Sequence, residues 1–240
     1  VILFSFTALP RLLADVILSL DYLSHFHTEQ SEEHMSTILF IKASPRTGRA
    51  HSLALADAFL EAYKQRNPDD RVVELDLFKT SLPDLDAVTV QGKYNIMHGR
   101  EYTPEERSAW SEVEKVIELF KSADKYVFAV PMWNFSLPYK LKHLIDVITQ
   151  PGYTFSASDK GYEGLLKGRK AFVAYASGGV YSPGSPAEAI NFQTPYMDFW
   201  LGFIGITDVV SAAAAGMLGP DKDANKAKAV ARARELAQDF

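Results

Sequence analysis

Residues Lys125–Ile148 read KYVFAVPMWNFSLPYKLKHLIDVI, and three kinds of segment follow one another within them. Lys125–Val130 is a short apolar run rich in Val and aromatics, which predicts a buried strand. Pro131–Leu137 (PMWNFSL) is a loop. Pro138 opens a helix whose Leu141, Leu144, Ile145 and Ile148 share one face.

The same strand–loop–helix order recurs on both sides of this stretch. Thr37–Ala43 (TILFIKA) is a buried strand, and Ser44–Ser52 (SPRTGRAHS) is a loop. The next helix carries Ala56, Phe59, Leu60 and Tyr63 at i, i+3, i+4 and i+7, with Ser52 as its N-cap and Asn67-Pro68 as its stop. Arg71–Leu77 alternates like a strand. Thr103-Pro-Glu-Glu106 is a capping box, and Trp110, Val113, Ile117 and Phe120 continue that helix. Lys170–Ala176 is a strand that runs into a Ser177-Gly-Gly179 loop. Thr194-Pro195 caps a helix bearing Tyr196, Phe199, Trp200 and Phe203. Ile206–Ala214 is the last strand, and Asp221–Gln238 is a surface helix. Ser81–Tyr102 and Gln150–Gly168 show no clear period, and connections of that length are usually functional or interface segments.

Five strands alternating with helices predict an α/β fold, a doubly wound five-stranded parallel sheet with helices on both faces. Ligands bind such sheets beyond the carboxyl ends of the strands. The loops there begin at Ser44, Pro131 and Ala176.

Composition narrows the chemistry. The 240 residues, 47% of them hydrophobic, suffice for a packed core. A net charge of −5 does not suit a nucleic-acid binder, which needs excess basic charge. The absence of cysteine excludes disulfides, thiolate metal sites, Fe–S clusters and thiol nucleophiles; it leaves the compartment open, though the cytoplasmic location expected here needs no disulfides. Val1–His34 stands apart, with one basic and five acidic residues and three of the six histidines, His25, His27 and His34. Its apolar start lacks a basic region before it, and Arg11, Asp15 and Asp21 interrupt the run. Neither a signal peptide nor a membrane span is therefore expected. Pro10–Leu23 has the spacing of a short amphipathic helix. The expectation is that residues 1–34 are an extension outside the native core, with Met35 the natural start, and that 35–240 form one domain.

No G-x-S-x-G, H-E-x-x-H, G-x-x-x-x-G-K-[ST] or G-x-G-x-x-G occurs, and Asp124 and Asp146 read as structural carboxylates. The first loop suits a phosphate. Ser44, His51 and Ser52 are donors, Arg46 and Arg49 carry charge, and the following helix points free N–H groups at the loop. The alternative there is a plain N-cap with solvated arginines. The second loop, Met132-Trp-Asn-Phe135, suits a planar ring with a polar edge; the alternative is a rigid aromatic turn. In the third loop, Gly178 and Gly179 let backbone approach a ligand closely. Together the three loops describe a site for a planar heterocycle carrying a phosphate, with FMN the natural candidate. No metal site is expected. A bound cofactor would carry the chemistry, so no catalytic side chain is named.

From about Met35 onward the chain resembles the FMN-dependent NADH-azoreductase and NAD(P)H:quinone oxidoreductase family, a branch of flavodoxin-like folds. The residues that carry the likeness are Lys42-Ala-Ser44 with Ser52, Pro131-Met-Trp-Asn-Phe135 with Leu141-Lys142, Thr154-Phe155, Gly164-Leu-Leu, Ser177-Gly-Gly179 and Leu201-Gly-Phe-Ile-Gly-Ile-Thr-Asp208. The resemblance implies that Ser44, Ala50, His51 and Ser52 hold the FMN phosphate. It implies that Met132, Trp133, Asn134 and Phe135 line the ring and ribityl chain, and that Ala176, Ser177, Gly178 and Gly179 meet its polar edge. It further implies tightly bound, non-covalent FMN and a homodimer. NADH or NADPH would be the donor, a quinone or azo compound the acceptor, and the order ping-pong. The chain departs from the family pattern at four places. Ala50 stands where Ser is frequent, Trp133 where Tyr is common, Ser177 where Arg is frequent, and Ala157 where an aromatic is often found. The first removes a phosphate hydroxyl, the third bears on cofactor tuning and donor choice, and the last would widen the substrate pocket. Two competing readings remain: a flavodoxin-like electron carrier, and a non-catalytic flavin-binding interaction protein.

Overall fold

The computed structural model describes residues 35–46 and 48–240, of which Met35–Phe240 form one compact unit. The helix expected at Pro10–Leu23, the three early histidines and the extension itself lie outside the described residues.

The main sheet has five parallel strands: β1 (Thr37–Lys42), β2 (Arg71–Asp76), β3 (Lys125–Pro131), β6 (Lys170–Ala176) and β7 (Asp208–Ala214). Their order across the sheet is β2-β1-β3-β6-β7. After β2 the chain returns across β1 to β3, so the winding direction reverses there and a crevice opens beyond the strand ends. Alternate residues of each strand feed two separate cores. Ile38, Phe40, Val127, Ala129, Phe172 and Ala174 face one side; Leu39, Ile41, Tyr126, Phe128, Ala171 and Val173 face the other. Burial on both faces is why β1, β3 and β6 read as unbroken apolar runs, whereas the edge strands β2 and β7 are only partly buried.

Helices α1 (His51–Arg66) and α6 (Lys222–Leu236) cover the first face, where Phe59 stacks on Phe172 with ring centroids 3.9 Å apart. Helices α3 (Pro104–Lys121), α4 (Tyr139–Ile148) and α5 (Thr194–Phe203) cover the second. The capping box at Thr103 and Glu106 is present with both reciprocal hydrogen bonds. Asp124 accepts from the Thr37 N–H at 2.8 Å, a structural use of that carboxylate.

Four local expectations are corrected. Ser81–Tyr102 contains a helix, α2 (Ala87–Met97), capped by Asp86, which accepts from the Thr89 N–H. Its apolar residues do not form one stripe, because much of it faces solvent and its close contact with α3 runs through Gly92. Gln150–Gly168 contains an antiparallel hairpin, β4 (Phe155–Ser158) and β5 (Gly161–Gly164). Helix α1 begins at His51, so Ser52 lies inside it and Ala50 holds the N-cap position without a capping side chain. Thr194 starts α5 but caps nothing; the Asn191 carboxamide accepts from the Gln193 and Thr194 N–H groups instead.

The hairpin is fixed to the end of α5 by backbone contact. Leu166 N–H donates to Ile204 C=O at 2.9 Å, and a methyl group at Gly164 would lie 2.2 Å from the Gly205 nitrogen. Both sides of that contact are backbone, so neither yields cheaply. Gly164→Ala is expected to destabilise the fold by about 1–3 kcal/mol, in the range of overpacked sites. Urea unfolding of the variant beside the parent measures it, and an unchanged midpoint would contradict the close approach.

Candidate functional site

Three loops meet at the carboxyl end of the sheet, and backbone hydrogen bonds join them. Met132 N–H donates to Ala176 C=O at 2.7 Å, carrying the β3–β6 pairing one step into the second and third loops. Ser177 N–H donates to Ala214 C=O at 3.0 Å. The Gly216, Met217 and Leu218 N–H groups then donate to the carbonyls of Gly179, Ser177 and Gly178. The Ser177 hydroxyl closes on Gly179 C=O at 2.8 Å.

Between these loops lies a cleft of about 340 Å³. Ser44, Ala50 and His51 line one end, and Met132, Trp133, Ala176, Ser177 and Gly178 line the rest. Eight of the twelve expected site residues thus share one cavity. Asn134 borders an adjoining cavity of about 430 Å³ that has Trp133 in common with the first. Phe135 and Gly179 line neither, since both face Tyr181. The Phe135 ring meets Tyr181 edge-on at 6.3 Å, and a methyl group at Gly179 would lie 3.2 Å from the Tyr181 ring. Ser52 is fully buried in the first turn of α1.

Met217 and Leu218, lining residues from the loop after β7, were missed from sequence. Their position after the last strand was the available signal, because that strand ends on the same edge of the sheet as the others. Tyr181 and Tyr196 were missed with no local signal; one reaches the second loop and the other the adjoining cavity only through tertiary packing.

The first-loop end has features that could hold an anion. The N-terminus of α1 has no capping side chain, so its free N–H groups and positive dipole end are unmatched. Among the described residues the buried Ser52 hydroxyl and His51 Nδ1 have no hydrogen-bond partner, which a folded protein tolerates rarely. Burial first, and then the charges of Lys226, Arg46 and Lys222, hold the His51 imidazole below its ordinary pKa; Asp223 opposes them weakly. An electropositive end with orphaned donors fits a phosphate.

The second loop is a tight two-residue turn. Trp133 and Ser136 exchange both backbone hydrogen bonds, at 2.9 and 3.0 Å, and the central Asn134 and Phe135 have φ of 46° and 69°. Two successive left-handed residues are the signature of a type I′ turn, ordinarily the place of Asn-Gly. Phenylalanine there is strained. The surroundings hold it: Phe192 N–H donates to Phe135 C=O at 2.9 Å, and Trp133 packs against Phe78 and Tyr139 at 5.8 and 6.3 Å. Strain kept in this way clusters at functional sites.

Residues 36–237 match the family described by its flavodoxin-like fold. The chain belongs to that flavodoxin-like family. An FMN-dependent NADH:quinone oxidoreductase of Nitratidesulfovibrio vulgaris is 48% identical to this flavodoxin-like chain over 209 residues, covering 86% of the chain and 100% of the relative. A Burkholderia lata protein of the same name is 39% identical over 210 residues, covering 86% and 100%. A crystal structure of an azoreductase from Bacillus anthracis superposes with a TM-score of 0.80 at 33% identity, covering 86% and 100%. A second from that organism, an FMN-dependent NADH-azoreductase in complex with FMN, gives 0.79 at 29%, covering 85% and 98%.

The turn geometry yields a stability test. Asn134→Ala is expected to cost about 1 kcal/mol, because alanine lacks the local hydrogen bonding that lets Asn adopt the left-handed region. Asn134→Gly is expected to cost nothing or to stabilise slightly. Thermal unfolding of the pair checks this, and an equal loss in both would contradict the left-handed placement.

Proposed function

We propose that the chain is an FMN-dependent oxidoreductase that moves two electrons from NADH or NADPH to quinones and aromatic azo compounds. One observation carries the reading. The electropositive, uncapped end of α1 and the aromatic and glycine loops face the same cleft, so an anion and a planar ring are accommodated together. The names of the relatives support the same cofactor, donor and acceptor.

In this reading Ser44, His51 and Ser52, with the α1 N–H groups, hold the phosphate, and Ala50 contributes backbone only. Met132, Trp133 and Asn134 hold the ring from the β3 side, and Ala176, Ser177 and Gly178 hold it from the β6 side, with Gly179 turned toward Tyr181 behind them. Phe135 supports the turn rather than the ring. When bound, FMN supplies the two-electron chemistry that no side chain here provides. The protein's part is to orient the ring and exclude water from one face. Donor and acceptor would use the exposed face in turn, which is a ping-pong order, with protons drawn from solvent.

The same reading includes a homodimer and a cytoplasmic location, where the nicotinamide donors are available. An exposed aromatic patch supports the dimer. Phe155, Tyr162, Phe199 and Phe203 form a chain of rings with neighbouring centroids 4.8–6.1 Å apart, and Tyr162 and Phe199 are 72% and 68% exposed. Contiguous apolar surface of this kind marks association sites. Among the described residues, no helix is long and apolar enough to cross a membrane. Residues 35–240 are proposed to fold as one flavin-binding domain, which a chain starting at Met35 tests directly.

The deciding measurement is the visible spectrum of the chain after FMN loading and removal of excess. Retained flavin absorbance that bleaches with anaerobic NADH and returns on adding a quinone is the expected result. Retained flavin that NADH cannot bleach would indicate a carrier or sensor instead. Asn134→Ala and Asn134→Gly are both expected to retain less FMN than the parent; loss in the alanine variant alone would assign the effect to the turn rather than the side chain. Phe199→Glu is expected to shift sedimentation toward the monomer, and an unchanged dimer would exclude that patch as its interface.

A further inference from the structure

His51 has an environment that its neighbours in the cradle do not share. It occupies the first position of α1 and lines the cleft, and its buried Nδ1 has no partner among the described residues. The charged groups acting on it come from two elements: Arg46 on the loop after β1, and Lys222, Asp223 and Lys226 on α6. Three of these four are cations. With no anion between them, a protonated imidazole would be a further positive charge in a partly desolvated, positive place, so the neutral ring is favoured. A phosphate dianion in the same cradle reverses the sign of the local field. It also offers the acceptor that Nδ1–H lacks, and a hydrogen bond between two charged partners is stronger than one between neutral groups. Ala50, beside it, brings no hydroxyl, so less of the phosphate's capacity is met by neutral donors.

We infer that His51 binds the flavin phosphate as an imidazolium, so that FMN uptake draws a proton into the site and His51 sets the preference for FMN over riboflavin. The inference rests on the FMN reading above. Its consequence follows by linkage. Below the imidazole pKa of the free site, binding takes up no proton at His51. Between that value and the higher pKa of the loaded site, one proton enters, and the FMN Kd rises about tenfold per pH unit. The phosphate's own second ionisation, near pKa ~6, works in the opposite direction and is common to every variant.

The test is equilibrium binding of FMN and of riboflavin to the flavin-free chain from pH 5.5 to 9, followed by flavin fluorescence and calorimetry. The parent and His51→Asn are compared; Asn retains a short donor without a charge. In the parent, calorimetry at pH 7.5 in two buffers of different ionisation enthalpy is expected to report uptake of a proton with FMN and none with riboflavin. In His51→Asn the rise of FMN Kd with pH should flatten, the FMN-over-riboflavin ratio should fall about tenfold near neutral pH, and riboflavin affinity should stay put. FMN binding with the same pH profile and the same proton count in both chains would overturn the role of His51 while leaving the flavin site intact. Failure of the parent to bind either flavin at any pH would overturn the flavin reading, and this inference with it.

Discussion

The parallel pairing of β3 with β6 is the constraint on which the rest of the site depends. Its register runs from Lys125 opposite Lys170 to Pro131 opposite Ala176, and the Met132 N–H continues it onto the Ala176 carbonyl. A shift of one residue would exchange the two faces of β6 and turn Phe172 and Ala174 away from α1. It would also separate the aromatic loop from the glycine loop. The cleft exists because two strands buried on both faces can pair in only one way, and because both chains leave the sheet at the same edge.

Two features of this edge cost stability and are held by what surrounds them. One is the pair of left-handed residues Asn134 and Phe135, tied in place by the Phe192 N–H and by the Trp133, Phe78 and Tyr139 rings. The other is the start of α1, with no capping side chain and with the buried, unpartnered Ser52 hydroxyl and His51 Nδ1. By contrast, α2 and α3, remote from the cleft, start with side-chain caps at Asp86 and Thr103. At the same helix start as the uncapped N–H groups, that of α1, burial first and then the charges of Lys226, Arg46 and Lys222 disfavour the protonated His51 imidazole.

Much of this was legible along the chain. Strands buried on both faces are short continuous apolar runs, and helices packed on one face repeat every 3.6 residues, so Lys170–Ala176 and the Trp110–Val113–Ile117–Phe120 stripe announce themselves. Helix α2 did not, because it packs through a glycine and leaves Val90, Tyr94 and Met97 exposed, which erases the period. The β4–β5 hairpin did not, because four-residue strands with mostly exposed side chains have no apolar alternation. In the cleft, Ser44, His51, Trp133 and Gly178 could be picked out as lining residues because their residue types are unusual for loops after strands. Met217 and Leu218 are ordinary residues that matter only through where β7 ends.

The sequence by itself determined the α/β class, the five strands and the three loops with donor, aromatic and glycine chemistry. Each is encoded by local pattern or residue type, and a local pattern needs no neighbour to be read. Tertiary structure alone decided which loop residues share a cavity, that Phe135 turns toward Tyr181, and that cations from α6 act on His51. Those outcomes depend on contacts between residues far apart in the chain, such as His51 and Lys226, and only the folded sheet brings them within range of one another.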